Sequence, residues 1–320
     1  MVTTNNCTRS TPFSVIVPTK NGAHELPLLL ESISRQSLQP AEVVIIDSAS
    51  DDDTVGLAKR WGAQVIEIDA RTFNHGATRN QAIAATSTDY IFLFTQDAQP
   101  AHAQYFEVML QSMEQHQAAG VYARQLPRSD ASYLVRRDLA RWLSGLPERR
   151  VIRWEALGAV AALSPFERFE QSVFDNVASL IRRSTWQSIP FPVAPFGEDL
   201  EWGFRVLCNG GCIVYEPDAP VIHSHERSAR YLYRRTFIDH YRLYRLFGVR
   251  TLPRLRYAIR AMGLTWARDS WDSLRAPIGW GEKWRLLCSA PANAVAGVWA
   301  QYLAGRKAAR GEPPFDTRDV

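Results

Sequence analysis

Carboxylates at the ends of apolar runs are the most reactive-looking groups in this 320-residue chain. Asp47 closes the run VVII, Asp97 follows IFLFTQ, and the segment GEDLEW (Gly197 to Trp202) brings Glu198, Asp199 and Glu201. Ligands of an open parallel sheet sit beyond the carboxyl ends of its strands, so acids placed where strands stop are aimed at whatever binds there. Hard oxygen ligands suit magnesium or manganese, and a diphosphate held through such a cation fits them best. The arrangement predicts a nucleotide-sugar site. His223 and His225 flank Ser224 after a second apolar run, on the same side of an extended chain. They read as metal ligands or as hydrogen-bonded loop histidines. FNHGATRN places Asn74, His75 and Arg79 at the mouth of a helix, where an anion can bind and a guanidinium can grip phosphate oxygens. Asn74 and His75 fit helix capping equally well.

Other acids have simpler readings. Asp47 fits a turn as well as a ligand contact. Capping and the helix dipole account for most of Asp51, Asp52 and Asp53, which leaves Asp52 alone with a nucleotide role. Successive helical residues point about 100° apart, so only one of Glu198 and Asp199 can face a sugar. Their placement at a helix start also suits the dipole.

The elements that must position these groups alternate at the spacing of βαβ units. Strands are predicted at Phe13 to Val17, Val43 to Ile46, Gln64 to Ile68 and Tyr90 to Phe94. A helix carries Leu26, Leu29, Leu30 and Ile33, a second opens at Asp51 to Thr54, and a third runs from Gly76 to Thr86. Residues from Val121 to Pro195 are proline-rich and less regular. A helix then runs from near Glu198 to Gly210–Gly211, and two short strands follow at Cys212 to Tyr215 and Val221 to His223. Beyond Ser228 the pattern is helical to about Arg310, and the tail GEPPFDTRDV reads as disordered.

Composition narrows the function classes. A hydrophobic content of 46% supports a sizeable core. The four cysteines form no CxxC pair, so neither zinc nor a disulfide framework is expected. The polar start MVTTNNCTRSTP lacks the apolar stretch of a secretory signal, and a cytoplasmic location is expected. No run reaches the roughly 20 apolar residues of a bilayer-spanning helix. Arg227 to Arg260 holds ten arginines against Asp239, a local charge of +9 that leaves −5 on the remainder. With Tyr231, Tyr233, Tyr241, Tyr244 and Phe247 among these arginines, the C-terminal helices, about Arg230 to Arg310, read as a peripheral contact with an anionic inner-membrane surface, and the alternative is that the arginines serve packing or a homo-oligomer contact. A nucleic-acid binder would show a reading motif and a dehydrogenase would show GxGxxG after the first strand, and PTKNG has neither.

Taken in order, SVIVPTKNG, VVIIDSASDDDT, FNHGATRN, YIFLFTQDA, GEDLEW and VIHSH resemble the family 2 glycosyltransferases, inverting enzymes of the GT-A fold. FNHGATRN, TQDA, RQLPRSDA and HSH look like its rhamnosyltransferase branch. The resemblance implies an α/β GT-A sheet with flanking helices over 13–228, following a flexible 1–12. Within it, 13–120 would be the nucleotide-sugar half and 121–228 the acceptor half. A helical region at 229–310 and the 311–320 tail would complete the chain. It further implies that Pro18 and Thr19 lie against the nucleoside, that Asp47 meets base or ribose, and that Arg79 meets the nucleotide or diphosphate. Gln96 and Asp97 occupy the place of an Asp-x-Asp metal signature with one carboxylate replaced by an amide. Asp97 would bind Mg²⁺ or Mn²⁺ with weakened affinity, joined by His223 or His225, with His223 favoured. Asp199 would be the general base, with Glu198 and Glu201 as second choices. The implied donor is deoxythymidine-diphosphate L-rhamnose, and the implied acceptor a growing or lipid-linked glycan.

Overall fold

Runs of β-branched and aromatic residues form the strands, and leucine or alanine spaced by three and four forms the inner faces of the helices. The computed structural model describes residues 11–154, 157–194, 196–226 and 228–314. The first half alternates β1 (Phe13–Thr19), α1 (Leu26–Ser34), β2 (Glu42–Asp47), α2 (Thr54–Trp61), β3 (Gln64–Glu67), α3 (His75–Ala84), β4 (Tyr90–Phe94), β5 (Gln99–Pro100) and α4 (Tyr105–Gln115). The middle holds β6 (Gly120–Leu126), α5 (Tyr133–Arg141), β7 (Arg150–Arg153), α6 (Leu157–Ala162), α7 (Pro165–Ser172), β8 (Ala178–Arg182), α8 (Arg183–Ser188), α9 (Glu198–Cys208) and β9 (Cys212–Ile222). Three long helices follow: α10 (Ala229–Phe247), α11 (Leu255–Arg275) and α12 (Trp280–Ala309).

All strands join one sheet in the order β3-β2-β1-β4-β8-β6-β9-β5, with β7 also on β9. Strands β1, β2 and β4 are parallel, β8 runs against both β4 and β6, and β6 is parallel to β9. The carboxyl ends of β1, β2, β4, β6 and β9 therefore gather at one edge. Both faces are covered, which is why the strands read as unbroken apolar runs. Phe13, Val15, Val17, Phe92, Phe94 and Phe106 pack on one side, and Ile16, Ile46, Ile91, Leu93, Tyr122 and Trp202 on the other.

Several expectations shift. The two short strands after Gly211 are one strand, β9, whose register slips against β6 between Ala123 and Arg124. Residues 217–219 bulge out of the ladder, and β6 pairs with β9 on both sides of them, while β7 flanks its inner part and β5 its outer part. Ile68 lies outside β3, and α3 starts at His75 because Asn74 caps it, accepting from the Ala77 N–H at 3.1 Å. The first tail residues are held rather than loose: the Tyr241 hydroxyl donates to the Glu312 carbonyl at 2.9 Å. Residues 1–10 and 315–320, where the rest of the expected flexible ends fall, lie outside the described residues.

The aromatic set expected to meet a membrane turns inward. Phe237 and Ile238 of α10 pack with Ala300 and Ala304 of α12, joined by Tyr233 and Tyr241. Phe247 is buried against Phe169 and Phe204, and Tyr231 and Tyr244 are half-buried. The arginines of α10 do likewise in part: Arg242 pairs with Glu201, and Arg235 lies 4.1 Å over the Phe196 ring. Packing these rings between α10, α12 and the residues beside them removes their apolar area from water.

Candidate active site

Loops at the carboxyl edge of the sheet bring the sequence-predicted residues together. Thr19 ends β1 and donates its hydroxyl to Asp47 at the end of β2 (2.8 Å); Asp47 also accepts the Ser50 N–H (2.8 Å) and Ser50 hydroxyl (2.6 Å). Asp47 is thereby locked and almost fully buried. Asp52 braces the neighbouring loop, accepting the Ala23 N–H at 3.0 Å and the Thr54 N–H at 3.1 Å. Asn21 and Ala49, at the tips of these two loops, have positive φ (47° and 57°), a conformation uncommon for residues with a side chain.

Gln96 does something a carboxylate cannot. Its Oε1 accepts the Lys20 N–H at 2.9 Å while its Nε2 donates to the Lys20 carbonyl at 3.1 Å. An aspartate at this position would have no proton for that carbonyl. The amide therefore ties the loop after β4 to the loop after β1.

Asp97, His223 and His225 offer ligand atoms within 4.8 Å of one another. The Asp97 Oδ2 lies 3.4 Å from His223 Nε2 and 3.3 Å from His225 Nε2. Burial alone would raise the Asp97 carboxyl, but its hydrogen bond to His223 and the two imidazoles hold it well below the usual carboxylate range. The tautomer of His223 follows from its neighbour. Gln125 donates its Nε2 to Asp175 and to the Ser144 hydroxyl (3.3 Å), so its Oε1 accepts from His223 Nδ1 at 2.9 Å. With Nδ1 bonded to Gln125, Nε2 is the His223 ring nitrogen left facing Asp97, and it is the one a ligating histidine would use. Burial, followed by the nearby His223, lowers the pKa of His225 and favours its neutral, ligand-competent form. One carboxylate and two imidazoles fit a divalent cation of the manganese type better than magnesium. Arg128 stands beside them, donating to the Asp97 carbonyl at 3.1 Å with its guanidinium 3.8 Å from the carboxylate. A cleft of about 390 Å³ opens here, lined in part by Gln96, Asp97, Arg128, Asp130, His225 and Glu226.

The first turn of α9 supplies the other half of the site. Gly197 caps it with φ 69°, a left-handed conformation that favours glycine. Trp202, packed between Phe174 and Phe191 and donating its indole N–H to the Ile189 carbonyl at 2.8 Å, fixes the helix against the sheet. Glu198 is buried and pairs with Arg79 of α3 at 3.0 Å. Burial would raise this carboxyl, and the guanidinium overrides it and keeps it ionised. Glu201 is taken up by Arg205 and Arg242. Asp199 instead accepts backbone N–H groups, from Leu200 at 2.8 Å and Asn176 at 3.3 Å, and keeps part of its surface exposed. Burial, with Glu198 and Asp175 adding negative charge, pushes its pKa up to about 7.

Arg79, expected at a phosphate, thus lies off the cleft wall with its charge committed to Glu198, since a buried guanidinium requires a carboxylate partner. His75 caps the same pocket between Phe73 and Phe196; burial lowers its pKa to about 4 and leaves it neutral. Gly76 lets α3 approach so closely that a Cβ there would sit 1.9 Å from the Pro192 carbonyl oxygen.

Residues 14–178, just over half the chain, match the model of glycosyl transferase family 2. The chain belongs to that family. It is 30% identical over 230 residues to the O-antigen chain rhamnosyltransferases RfbN of Salmonella typhimurium and WbaN of Salmonella anatum, covering 70% of this chain and 70% of each relative. Its fold is that of the GT-A glycosyltransferases. A mannosyltransferase from Pyrobaculum calidifontis, solved with GDP-mannose and Mn²⁺, superposes with a TM-score of 0.52 at 16% identity, over 98% of this chain and 79% of that one. The 1–349 fragment of S. aureus TarS gives 0.51 at 14% identity, over 94% and 92%.

In this glycosyltransferase several site residues were not singled out from sequence. Arg128 belongs to RQLPRSDA, whose basic residues gave the one available hint. Gln125 lies in the same segment but was not singled out within it, and Asp175 and Asn176 carried no signal, because their importance comes from strands β6 and β8 meeting in the sheet. Arg235 is hidden in an arginine-rich helix, yet it acts electrostatically on both Asp199 and His225 and so links the two halves of the site.

Proposed function

We propose that this glycosyltransferase inverts the anomeric centre of a nucleotide-activated sugar by direct displacement, with Asp199 as the general base. The observation that carries the reading is the treatment of the three acids on α9: Glu198 and Glu201 are neutralised by arginines, while Asp199 stays partly exposed with a pKa of about 7. That value is matched to proton abstraction near neutral pH. The acceptor hydroxyl gives its proton to the Asp199 carboxylate as its oxygen bonds to the anomeric carbon, and the bond from that carbon to the diphosphate breaks.

A divalent cation held by Asp97, His223 and His225 would offset charge on the departing diphosphate. The fit of that donor set, and the Mn²⁺ bound by the Pyrobaculum mannosyltransferase, favour manganese. Arg128 adds fixed positive charge at the same wall. Pro18, Thr19 and the locked Asp47 form the nucleoside end, and Asp52 shapes its loop. Arg79 and His75 act indirectly: Arg79 holds Glu198 ionised and in place, which in turn raises Asp199.

The RfbN and WbaN relatives favour deoxythymidine-diphosphate L-rhamnose as donor and a growing or lipid-linked glycan of the cell surface as acceptor. Thermal shift with a panel of nucleotide sugars, with and without Mn²⁺, tests both levels. Stabilisation by the rhamnose donor alone, enhanced by Mn²⁺, is expected. Stabilisation by a uridine or guanosine donor instead would replace the donor, and no response to any nucleotide sugar would reject the reaction.

A further inference from the structure

Helices α11 and α12 turn apolar faces to solvent. On α11 the outward positions Arg260, Leu264, Ala267, Trp271 and Leu274 follow one another at helical spacing, and on α12 Trp280, Trp284, Cys288, Pro291 and Val295 do the same. Leu264 is 60% exposed, Trp271 57%, Trp280 68% and Trp284 62%. The inner sides of these helices are already satisfied: Ala258 packs with Val298 and Tyr302, while Leu286, Ala290 and Ala294 are buried. The usual polar outer face of a surface helix is thus replaced by a second apolar one, larger than scattered exposure explains.

Charge is sorted across the same two helices. Between Arg254 and Arg285 there are seven basic residues and three acids. All three acids turn towards α5. Asp269 and Asp272 bind Arg137 at 2.9 and 2.7 Å, and Glu282 accepts the Tyr133 N–H at 3.0 Å. Two of the basic groups stay with the exposed rings, the Arg275 guanidinium 4.1 Å over Trp271 and the Lys283 ammonium 5.1 Å over Trp280, while Arg268 pairs with Asp269.

We infer that this face docks on an anionic lipid surface. Indole rings suit the layer between water and hydrocarbon, and adjacent arginine and lysine suit anionic headgroups, so one face supplies both contributions to interfacial binding. A two-fold contact with a second copy would set the basic face against itself. Within the C-terminal helices expected at a membrane, the contact falls on the tryptophans of α11 and α12 rather than on the half-buried tyrosines of α10. It also has a fixed relation to the active site. The segment before α5 carries Arg128, Asp130 and Ala131, which line the cleft, and α5 holds both docking helices through Arg137 and Tyr133. The value of such docking for a lipid-linked acceptor rests on the proposed transfer reaction, but the docking itself does not.

Flotation of the full chain with vesicles, without any sugar, separates the two. Phosphatidylcholine vesicles containing about one-third phosphatidylglycerol should carry the protein upward at about 50 mM salt, and much less at about 500 mM, where charges are screened within a few ångströms. Pure phosphatidylcholine should carry less at either salt. The variant W271S/W280S/W284S should lose binding by about tenfold or more, with an unchanged Tm. If that variant melts early, quenching of the native tryptophans by brominated lipid gives the answer, with quenching expected. Failure of the native chain to float at low salt, equal flotation of a folded triple variant, or absence of quenching would overturn the inference. So would light scattering that shows a concentration-dependent dimer, abolished by the triple substitution, in a protein that ignores vesicles.

Discussion

Replacing Asp199 by Asn should stabilise the protein while silencing it. The carboxyl is raised from its ordinary 3.8 to about 7, so the folded state holds a proton that the unfolded chain releases. A raised carboxyl contributes its full stability below about pH 4, loses it as the pH climbs to about 7, and stays flat above. At about 1.36 kcal/mol per pH unit, the ceiling on that loss is about 4 kcal/mol. Partial exposure and the amide's poorer fit to the Asn176 N–H reduce the gain to about 2 kcal/mol. For a chain of this size that is a Tm increase of about 3 °C at pH 8. Near pH 4 the neutral acid and the amide are alike, and the two proteins should melt together. Transfer should fall by about 10²–10⁴-fold in the variant. In the parent, kcat/KM should drop about tenfold per pH unit below a midpoint near 7, since only the ionised form accepts a proton. Calorimetry at both pH values, with a pH–rate profile, checks all of this. An equal Tm difference at pH 4 and pH 8, or substantial turnover by the variant, would refute the assigned pKa and the assigned role.

Asp97→Ala should weaken the intact donor by far more than the free nucleoside, because the metal joins protein to diphosphate rather than to base; titration calorimetry showing equal losses would count against it. Gln125→Leu removes the acceptor that orients His223, and Mn²⁺ affinity should fall by about 10–100-fold without loss of fold, read from metal titration. Gly76→Ala forces a methyl group against the Pro192 carbonyl and should cost about 1–3 kcal/mol, measured as a lower urea midpoint.

The strand ends carrying Asp47 and Asp97, and the helix start carrying Asp199, were legible because apolar runs and breakers act over a few residues. The long helices after Ser228 were legible for the same reason. What escaped was set by distant pairing. Strand β9 reads as two strands because Pro217 and Pro220 interrupt the pattern, yet β6 pairs with both parts across the bulge and keeps it continuous. Arg79 and Glu198 lie 119 positions apart, and nothing local shows that one neutralises the other. A run of ten arginines likewise does not reveal that some pair inward.

The single sheet has a practical consequence for altering donor choice. Within residues 13–120, β4 pairs with β8 and β5 crosses to the far edge to pair with β9, both partners lying outside that stretch. Arg79 then reaches into the later half to hold Glu198. A chimera that exchanges residues 13–120 for those of a relative would therefore have to match two foreign strands and one buried charge at once. Specificity in this enzyme is better transplanted loop by loop, at the tips after β1 and β2, than as a module.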